Sequence, residues 1–174
     1  MWDSKSKLLK KQKVAIVTAA SKGIGAACAT QLASEGYKLV LMSRSDSLFA
    51  LCDQLNARPL QGSIEDENDI ARLVGFTYEK YGRIDAVVCN TGHANKGSLL
   101  SLTDSDWKKG MDLLLMNVIR LARSIGPIMA KQKGGAFVNI STFGAKEPSL
   151  SFPISSVIRA AVSSYCKLFA SELG

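Results

Sequence analysis

The sequence has few of the side chains that build metal sites and disulfide frameworks. Its 174 residues include four cysteines and one histidine, and no two cysteines form a Cys-x-x-Cys pair. Because structural zinc sites need closely spaced thiolate and imidazole ligands, we expect no metal site. Widely spaced cysteines without a disulfide pattern instead predict reduced, buried thiols in a cytoplasmic protein.

Long apolar runs are also missing. No stretch of the sequence approaches the ~20 consecutive apolar residues that span a bilayer. The apolar run 14–20 follows a basic start, as the core of a signal peptide does, but it breaks at Ser21, Lys22 and Gly23. We therefore expect no membrane partner and interpret this run as a buried strand.

Acidic residues are outnumbered by basic ones. The chain has 22 lysines and arginines against 15 acidic residues, for a net charge of +7. Much of the excess lies in residues 1–12, which we interpret as a basic N-terminal segment exposed to solvent. Since no aromatic platform or zinc motif accompanies these lysines, we expect no nucleic-acid partner. A basic interaction module that uses this segment stays an alternative.

Short apolar runs alternate with helical patterns over the rest of the chain. The predicted strands are 14–17, 38–42, 58–62, 84–89 and 136–140. The predicted helices are 25–35, 46–56, 66–81, 104–132 and 155–173, with a kink or break expected at Gly126 and Pro127. Strands separated by helices predict an α/β fold of right-handed βαβ units. We expect one domain over 13–174, with a doubly wound parallel sheet in the order 3-2-1-4-5.

A glycine-containing turn joins the first strand to the first helix. In dinucleotide-binding folds this turn holds the pyrophosphate, because glycines allow close backbone approach and the helix N-terminus presents free N–H groups. Gly23 and Gly25 are therefore candidate cofactor contacts. A plain tight turn is the alternative interpretation.

Four motifs resemble, in order and spacing, those of the short-chain dehydrogenase/reductase family. The turn 18–25 (TAASKGIG) is similar to the family's TGxxxGIG, with Ala19 replacing the first glycine. A methyl group is tolerated there if φ is negative, and it narrows the approach of the cofactor. Residues 89–92 (CNTG) resemble its NNAG motif, Asn117 its helix asparagine, and 138–142 (VNIST) its strand-five serine motif. The resemblance covers 12–174 and implies a Rossmann-type domain for a nicotinamide dinucleotide.

The residues after the second and third strands bear on which dinucleotide is bound. Folds that prefer NAD place an acidic residue after strand two, whereas this chain has Arg44, whose guanidinium suits a 2′-phosphate. With Lys22 nearby, this predicts NADP(H). The resemblance places an acidic, adenine-contacting residue at the position of Ser63. The predicted cofactor residues are Thr18, Ser21, Lys22, Gly23, Ile24, Gly25, Arg44, Ser63, Ile64, Asn90 and Gly92.

The catalytic positions depart from the family pattern. The family uses a tyrosine and a lysine spaced YxxxK, and no such pair occurs here. Ser155 takes the tyrosine place, Arg159 the lysine place and Thr142 the serine place. The resemblance, to an atypical ketoacyl-reductase-like subgroup, thus implies the catalytic set Asn117, Thr142, Ser155 and Arg159. Either a water molecule or the nearby loop residue His93 would donate the proton to the substrate.

These features predict an NADP(H)-dependent oxidoreductase acting on a small-molecule carbonyl or alcohol. A non-catalytic NADP-binding or scaffold protein is the alternative. The family's last helix forms subunit contacts, so the resemblance implies a homo-oligomer. The family also continues with further strands, and we expect the domain to lack these last strands, as a C-terminally truncated member with an open edge at strand five.

Overall fold

The computed structural model describes residues 12–174, and all but the last residue of the predicted basic segment 1–12 lies outside them. Five parallel strands form one sheet in the order β3-β2-β1-β4-β5, which confirms the predicted topology. The strands are β1 (Val14–Thr18), β2 (Lys38–Ser43), β3 (Arg58–Gln61), β4 (Ala86–Cys89) and β5 (Ala136–Asn139).

Helices follow each strand and cover both faces of the sheet. They are α1 (Gly23–Ser34), α2 (Ser47–Leu55), α3 (Glu67–Tyr81), α4 (Asp104–Met111), α5 (Asn117–Gln132) and α6 (Pro153–Leu173). Each predicted helix is present, although most boundaries differ by one or two residues. The long helix expected over 104–132 is present as one run of helical residues, of which Asp112–Met116 are π-helical.

Strand β1 is buried along its whole length, and its side chains alternate between two cores. Ile16 joins the core formed with α3 and α5, which includes Leu121. Ala15 and Val17 face the other core, which includes Ala29 of α1. Because both faces are covered, the strand can be a continuous apolar run, as parallel strands typically are.

The helical stretch after β4 contains a π-helical turn that the sequence does not indicate. Thr103 and Asp106 form a reciprocal capping box that begins α4. A π-helical segment, Asp112–Met116, then separates α4 from α5. Pro127 lies inside α5 and does not end it, so the break expected at 126–127 is wrong. The π segment changes the helical register just before Asn117.

By length and composition alone, the stretch Asp104–Gln132 could cross a membrane. In the fold, Leu121 and Ile125 of this stretch are fully buried against the sheet. Buried core helices pass the same length-and-composition test, so the stretch is weak evidence for a membrane contact.

The outer strand β5 pairs only with β4 among the described strands. Its residues alternate between exposed and half-buried. Beside it, between α5 and α6, lies an apolar cavity of about 430 Å³, whose walls include Phe137, Tyr165 and Phe169. The edge is therefore the least covered part of the sheet.

Asp85 ties the start of β1 to the start of β4. Its Oδ2 accepts a hydrogen bond from the backbone N–H of Val14 at 2.8 Å. Its carboxylate also pairs with the guanidinium of Arg83 at 2.6 Å. Burial alone would raise the pKa of Asp85, but the hydrogen bonds from Arg83 and from Val14 outweigh it and lower the pKa. The carboxylate therefore stabilises the fold only while it is ionised.

Asp85→Asn should lower the free energy of unfolding at neutral pH by about 1–3 kcal/mol, because a charged hydrogen-bond acceptor is lost. The depressed pKa means that this stabilisation is present above about pH 4 and is lost as pH falls through the lower pKa of the folded state. Urea unfolding between pH 7 and pH 3 should thus show a smaller pH dependence for the variant than for wild type. An unchanged pH dependence would contradict this role, and Asp53→Asn, at an exposed site, is the control.

Candidate cofactor and active site

A cleft of about 620 Å³ opens at the carboxyl ends of β1, β2 and β4. In doubly wound sheets, ligands bind at this edge, where the strand order reverses. Most of the predicted cofactor residues line the cleft: Ser21, Lys22, Gly23, Ile24, Arg44, Ile64, Asn90 and Gly92. Thr18, Gly25 and Ser63 do not line it, and their contacts show other roles.

The N-terminus of α1 faces this cleft without a capping side chain. Lys22 occupies the N-cap position and makes no side-chain capping bond. Gly23 has a φ of +57°, and no atom lies within 4 Å of where its Cβ would be. The first N–H groups of the helix are therefore available to an anion, and the helix dipole favours negative charge there.

Gly25 lies where the backbone of the turn approaches the next strand most closely. A Cβ at this position would lie 2.4 Å from the carbonyl oxygen of Ala19 and 2.8 Å from Nδ2 of Asn90. Asn90 Nδ2 in turn donates to the Ala19 oxygen at 3.2 Å. Ala19 has a φ of +47°, so the condition under which a methyl group is tolerated there is not met. An alanine held there is strained by roughly 1–2 kcal/mol.

Thr18 joins the carboxyl ends of β1 and β4 from inside the protein. Its hydroxyl donates to the carbonyl oxygen of Asn90 at 2.8 Å and accepts the Asn90 N–H at 3.0 Å. Thr18 is fully buried. It therefore positions Asn90 at the cleft and does not itself face a ligand.

The far end of the cleft contains groups that the motifs do not mark. Ser43 and Ser21 share a hydrogen bond of 2.9 Å between their hydroxyls. Arg44 is 76% exposed and pairs with Glu65, with 3.6 Å between Nη1 and Oε1. Ser43 is the last residue of β2, and Glu65 follows β3. Because ligands bind at the carboxyl ends of parallel strands, these positions in the sequence could have indicated both residues.

Ser63, the predicted adenine contact, is half-buried and makes local hydrogen bonds. Its N–H donates to Asp69 Oδ2 at 2.8 Å, and its hydroxyl accepts the N–H of Glu65 at 3.2 Å. The acidic side chain lining this part of the cleft is therefore Glu65, two residues beyond the position that the motif comparison singles out.

The predicted catalytic residue Asn117 is fully buried at the start of α5. Its Nδ2 donates to the carbonyl oxygen of Leu113, in the π segment. Its Oδ1 is buried without a hydrogen-bond partner among the described residues. The side chain thus bonds to the π segment and leaves one acceptor free.

Arg159 connects the carboxyl ends of β4 and β5. Its Nη1 donates to the carbonyl oxygen of Ile140, and its Nη2 donates to the hydroxyl of Thr91 at 3.1 Å. Thr91 lines the cleft, so Arg159 reaches the cleft's edge. Burial lowers the pKa of Arg159, although an arginine guanidinium remains protonated in proteins.

Thr142 and Ser155 both precede Arg159 in the chain. Ser155 is half-buried in the first turn of α6, and Thr142 is exposed after β5. A Cβ on Gly144 would lie 2.8 Å from the hydroxyl of Ser156, which shows how closely the segment after Thr142 packs on α6. None of the four predicted catalytic side chains lines the cleft itself.

All four cysteines are free thiols. Burial raises the pKa of Cys52 to about 11 and raises that of Cys89 further, so both thiols are protonated and unreactive. Cys28 and Cys166 are half-buried, which differs from the expectation that all four are buried. Over residues 12–174, no group of three or more histidine, cysteine or acidic side chains could hold a metal ion.

The sheet order and the uncapped glycine turn are those of Rossmann-type α/β domains. A family model described as short chain dehydrogenase matches residues 13–174, and the chain belongs to this family.

Similar proteins support the same assignment. The chain is 30% identical over 168 residues to a 3-oxoacyl-[acyl-carrier-protein] reductase from Synechocystis, covering 92% of this chain and 68% of that protein. Its fold is similar to L-sorbose reductase from Gluconobacter frateurii complexed with NADPH and L-sorbose, with a TM-score of 0.85 and 29% identity. That match covers 93% of this chain but 64% of the reductase chain. A short-chain dehydrogenase from Streptomyces avermitilis gives a TM-score of 0.88 at 27% identity, covering 92% and 60% of the two chains.

Gly25→Ala should destabilise the protein by about 1–3 kcal/mol, because the new methyl group must displace the backbone of Ala19 or the side chain of Asn90. Gly75→Ala is a matched control, since no atom lies within 4 Å of its Cβ position in the middle of α3. That control should stabilise the helix by about 0.5–1 kcal/mol. Urea unfolding compares the two, and equal effects would contradict the close approach at Gly25.

Proposed function

We propose that this chain binds NADP(H) and acts as an oxidoreductase on a small-molecule carbonyl or alcohol. The observation that carries the proposal is the cleft at the N-terminus of α1. Its backbone donors and its cations come together at the switch point of the sheet. Residues 13–174 form the dinucleotide-binding domain in this proposal.

The residues of the cleft suit each part of the cofactor. The N–H groups at the start of α1, around Gly23, would hold the pyrophosphate. The guanidinium of Arg44 and the ammonium of Lys22 would hold the 2′-phosphate, since both side chains are exposed cations lining the same cleft. The solved L-sorbose reductase complex contains NADPH, which supports this choice of cofactor.

When bound, NADPH supplies the hydride that reduces a carbonyl carbon. Arg159 would stabilise the negative charge that develops on the carbonyl oxygen, because it is a fixed cation at the cleft's edge. The hydroxyls of Thr142 and Ser155 would orient that oxygen. Arg159 cannot transfer a proton, so water or His93, which lines the cleft, would donate it.

We expect this protein to turn over more slowly than family members that use an activated tyrosine. A serine hydroxyl is a much weaker acid than an activated tyrosine, and positioned acid–base catalysis typically contributes 10²–10⁴-fold, by order-of-magnitude estimate. With Ser155 at the tyrosine place, we expect a rate lower by about that factor. The orientation and charge stabilisation provided by the other residues would remain.

A non-catalytic NADP-binding or scaffold protein is the second candidate. One observation favours it: two of the donor nitrogens of Arg159 are already bonded to Ile140 and Thr91. In that case the guanidinium holds the ends of β4 and β5 together and contacts no substrate. A cytoplasmic location and a homo-oligomer are further proposals, based on family membership.

Calorimetric titration followed by an NADPH oxidation assay with a panel of ketones and aldehydes tests the proposal. Wild type should bind NADPH more tightly than NADH and should oxidise it with at least one panel member. Arg159→Ala should abolish detectable turnover while leaving NADPH affinity within about threefold, because the residue lies at the substrate side. Arg58→Ala, at an exposed arginine of β3, is the matched control.

The outcomes separate the two candidates. Binding of NADPH without turnover across the panel would replace the enzymatic function by the scaffold function. No measurable affinity for either dinucleotide would overturn both.

A further inference from the structure

Glu65 lies in the cofactor cleft, at the carboxyl end of β3. Its carboxylate pairs with the exposed guanidinium of Arg44, which directly follows the neighbouring strand β2. The distance between Nη1 of Arg44 and Oε1 of Glu65 is 3.6 Å. Among residues 12–174, no other acidic side chain lines the cleft. The pair therefore places one negative charge beside the group best suited to a phosphate.

The backbone of Glu65 is fixed from two sides. Its N–H donates to the hydroxyl of Ser63 at 3.2 Å, and its carbonyl oxygen accepts a hydrogen bond from Nη1 of Arg120 at 3.0 Å. Arg120 is itself held by Asp112, with 3.2 Å between Nη2 and Oδ1. The position of the residue is thus set by the fold, while its side chain, 36% exposed, can move.

We propose that Glu65 is a specificity-determining residue that competes with the cofactor's 2′-phosphate for Arg44. The proposal rests on the proposed NADP(H)-binding function and deepens it. A 2′-phosphate must displace the carboxylate from the guanidinium and also tolerate the carboxylate's charge nearby. Both effects weaken NADPH binding and neither opposes NADH binding, because NADH has no phosphate there.

The carboxylate also gives the unphosphorylated cofactor a partner. Dinucleotide folds that prefer NAD use an acidic side chain to accept the ribose 2′-hydroxyl. Glu65 reaches the same region through its contact with Arg44. The arginine and the glutamate together therefore make the cleft less selective for NADPH than Arg44 alone would.

The size of the effect follows from the exposure of the pair. Ion pairs that are exposed to water are weak. Loss of the Arg44–Glu65 pair therefore corresponds to a factor of about 2–5 in the affinity for NADPH. Phosphate displaces such a partner readily, so wild type still prefers NADPH. Removing the carboxylate should strengthen that preference.

The test measures dissociation constants for NADPH and NADH by calorimetry in wild type, Glu65→Gln and Glu67→Gln. Glu67 lies in the first turn of α3 and outside the cleft, so its variant removes an equal charge without freeing Arg44. Glu65→Gln should raise the ratio of the NADH constant to the NADPH constant by about 2–5-fold. This gain should shrink as salt rises, because salt screens exposed charges.

The same substitution made in an Arg44→Gln variant distinguishes the Arg44–Glu65 ion pair from a general effect of removing a negative charge. In Arg44→Gln, the additional change Glu65→Gln should give a smaller gain in NADPH affinity, since no guanidinium remains to be released. A ratio that moves no further than in Glu67→Gln, or a full gain in the Arg44→Gln background, would overturn the role of Glu65. If wild type binds NADPH but Glu65→Gln leaves the ratio unchanged, this inference alone fails. Absence of binding to both dinucleotides would overturn the proposed function as well.

Discussion

The cleft depends on one close approach, between the turn after β1 and the end of β4. Thr18 fixes the backbone of Asn90, and the Asn90 side chain fixes the carbonyl oxygen of Ala19. Only a glycine fits at position 25 beside these atoms. This contact aims the first turn of α1 into the cleft, so the anion-binding geometry is a consequence of how two strands of the sheet are joined.

The sheet and most helices could be predicted because their physical signals are local and strong. Buried parallel strands are short apolar runs, and the β1 run VAIVT has no competing interpretation once Gly23 and Gly25 follow it. Arg44, the basic residue after the second strand, could be identified from the sequence in the same way. These predictions needed only the order of the residues and the known geometry of parallel βαβ units.

Other features depend on contacts between distant residues, and the sequence carries little sign of them. An alanine gives no local indication of a positive φ, yet Ala19 adopts one because Asn90 holds its carbonyl oxygen. The π segment before Asn117 arises from packing in a stretch whose composition is uniformly helical. Glu65 was missed because the motif directs attention to Ser63, and only the three-dimensional structure shows which of the two residues lines the cleft.

The two ends of the cleft differ in how much they retain of the family's chemistry. At the phosphate end, the turn geometry and cations are present. At the other end, Arg159 and Ser155 stand where the resemblance places the family's lysine and tyrosine. Arg159 joins the ends of β4 and β5, so it supports the cleft whether or not it also stabilises a reacting oxygen.

The central claim, that the first turn of α1 receives the pyrophosphate, is tested most directly by NMR titration of the 18.7 kDa chain with NADPH. The backbone amide signals of Gly23, Ile24 and Gly25 should shift with saturating dependence on NADPH concentration, while those of exposed residues in the middle of α3 stay fixed. Signals at 23–25 that do not move at millimolar NADPH would contradict the claim.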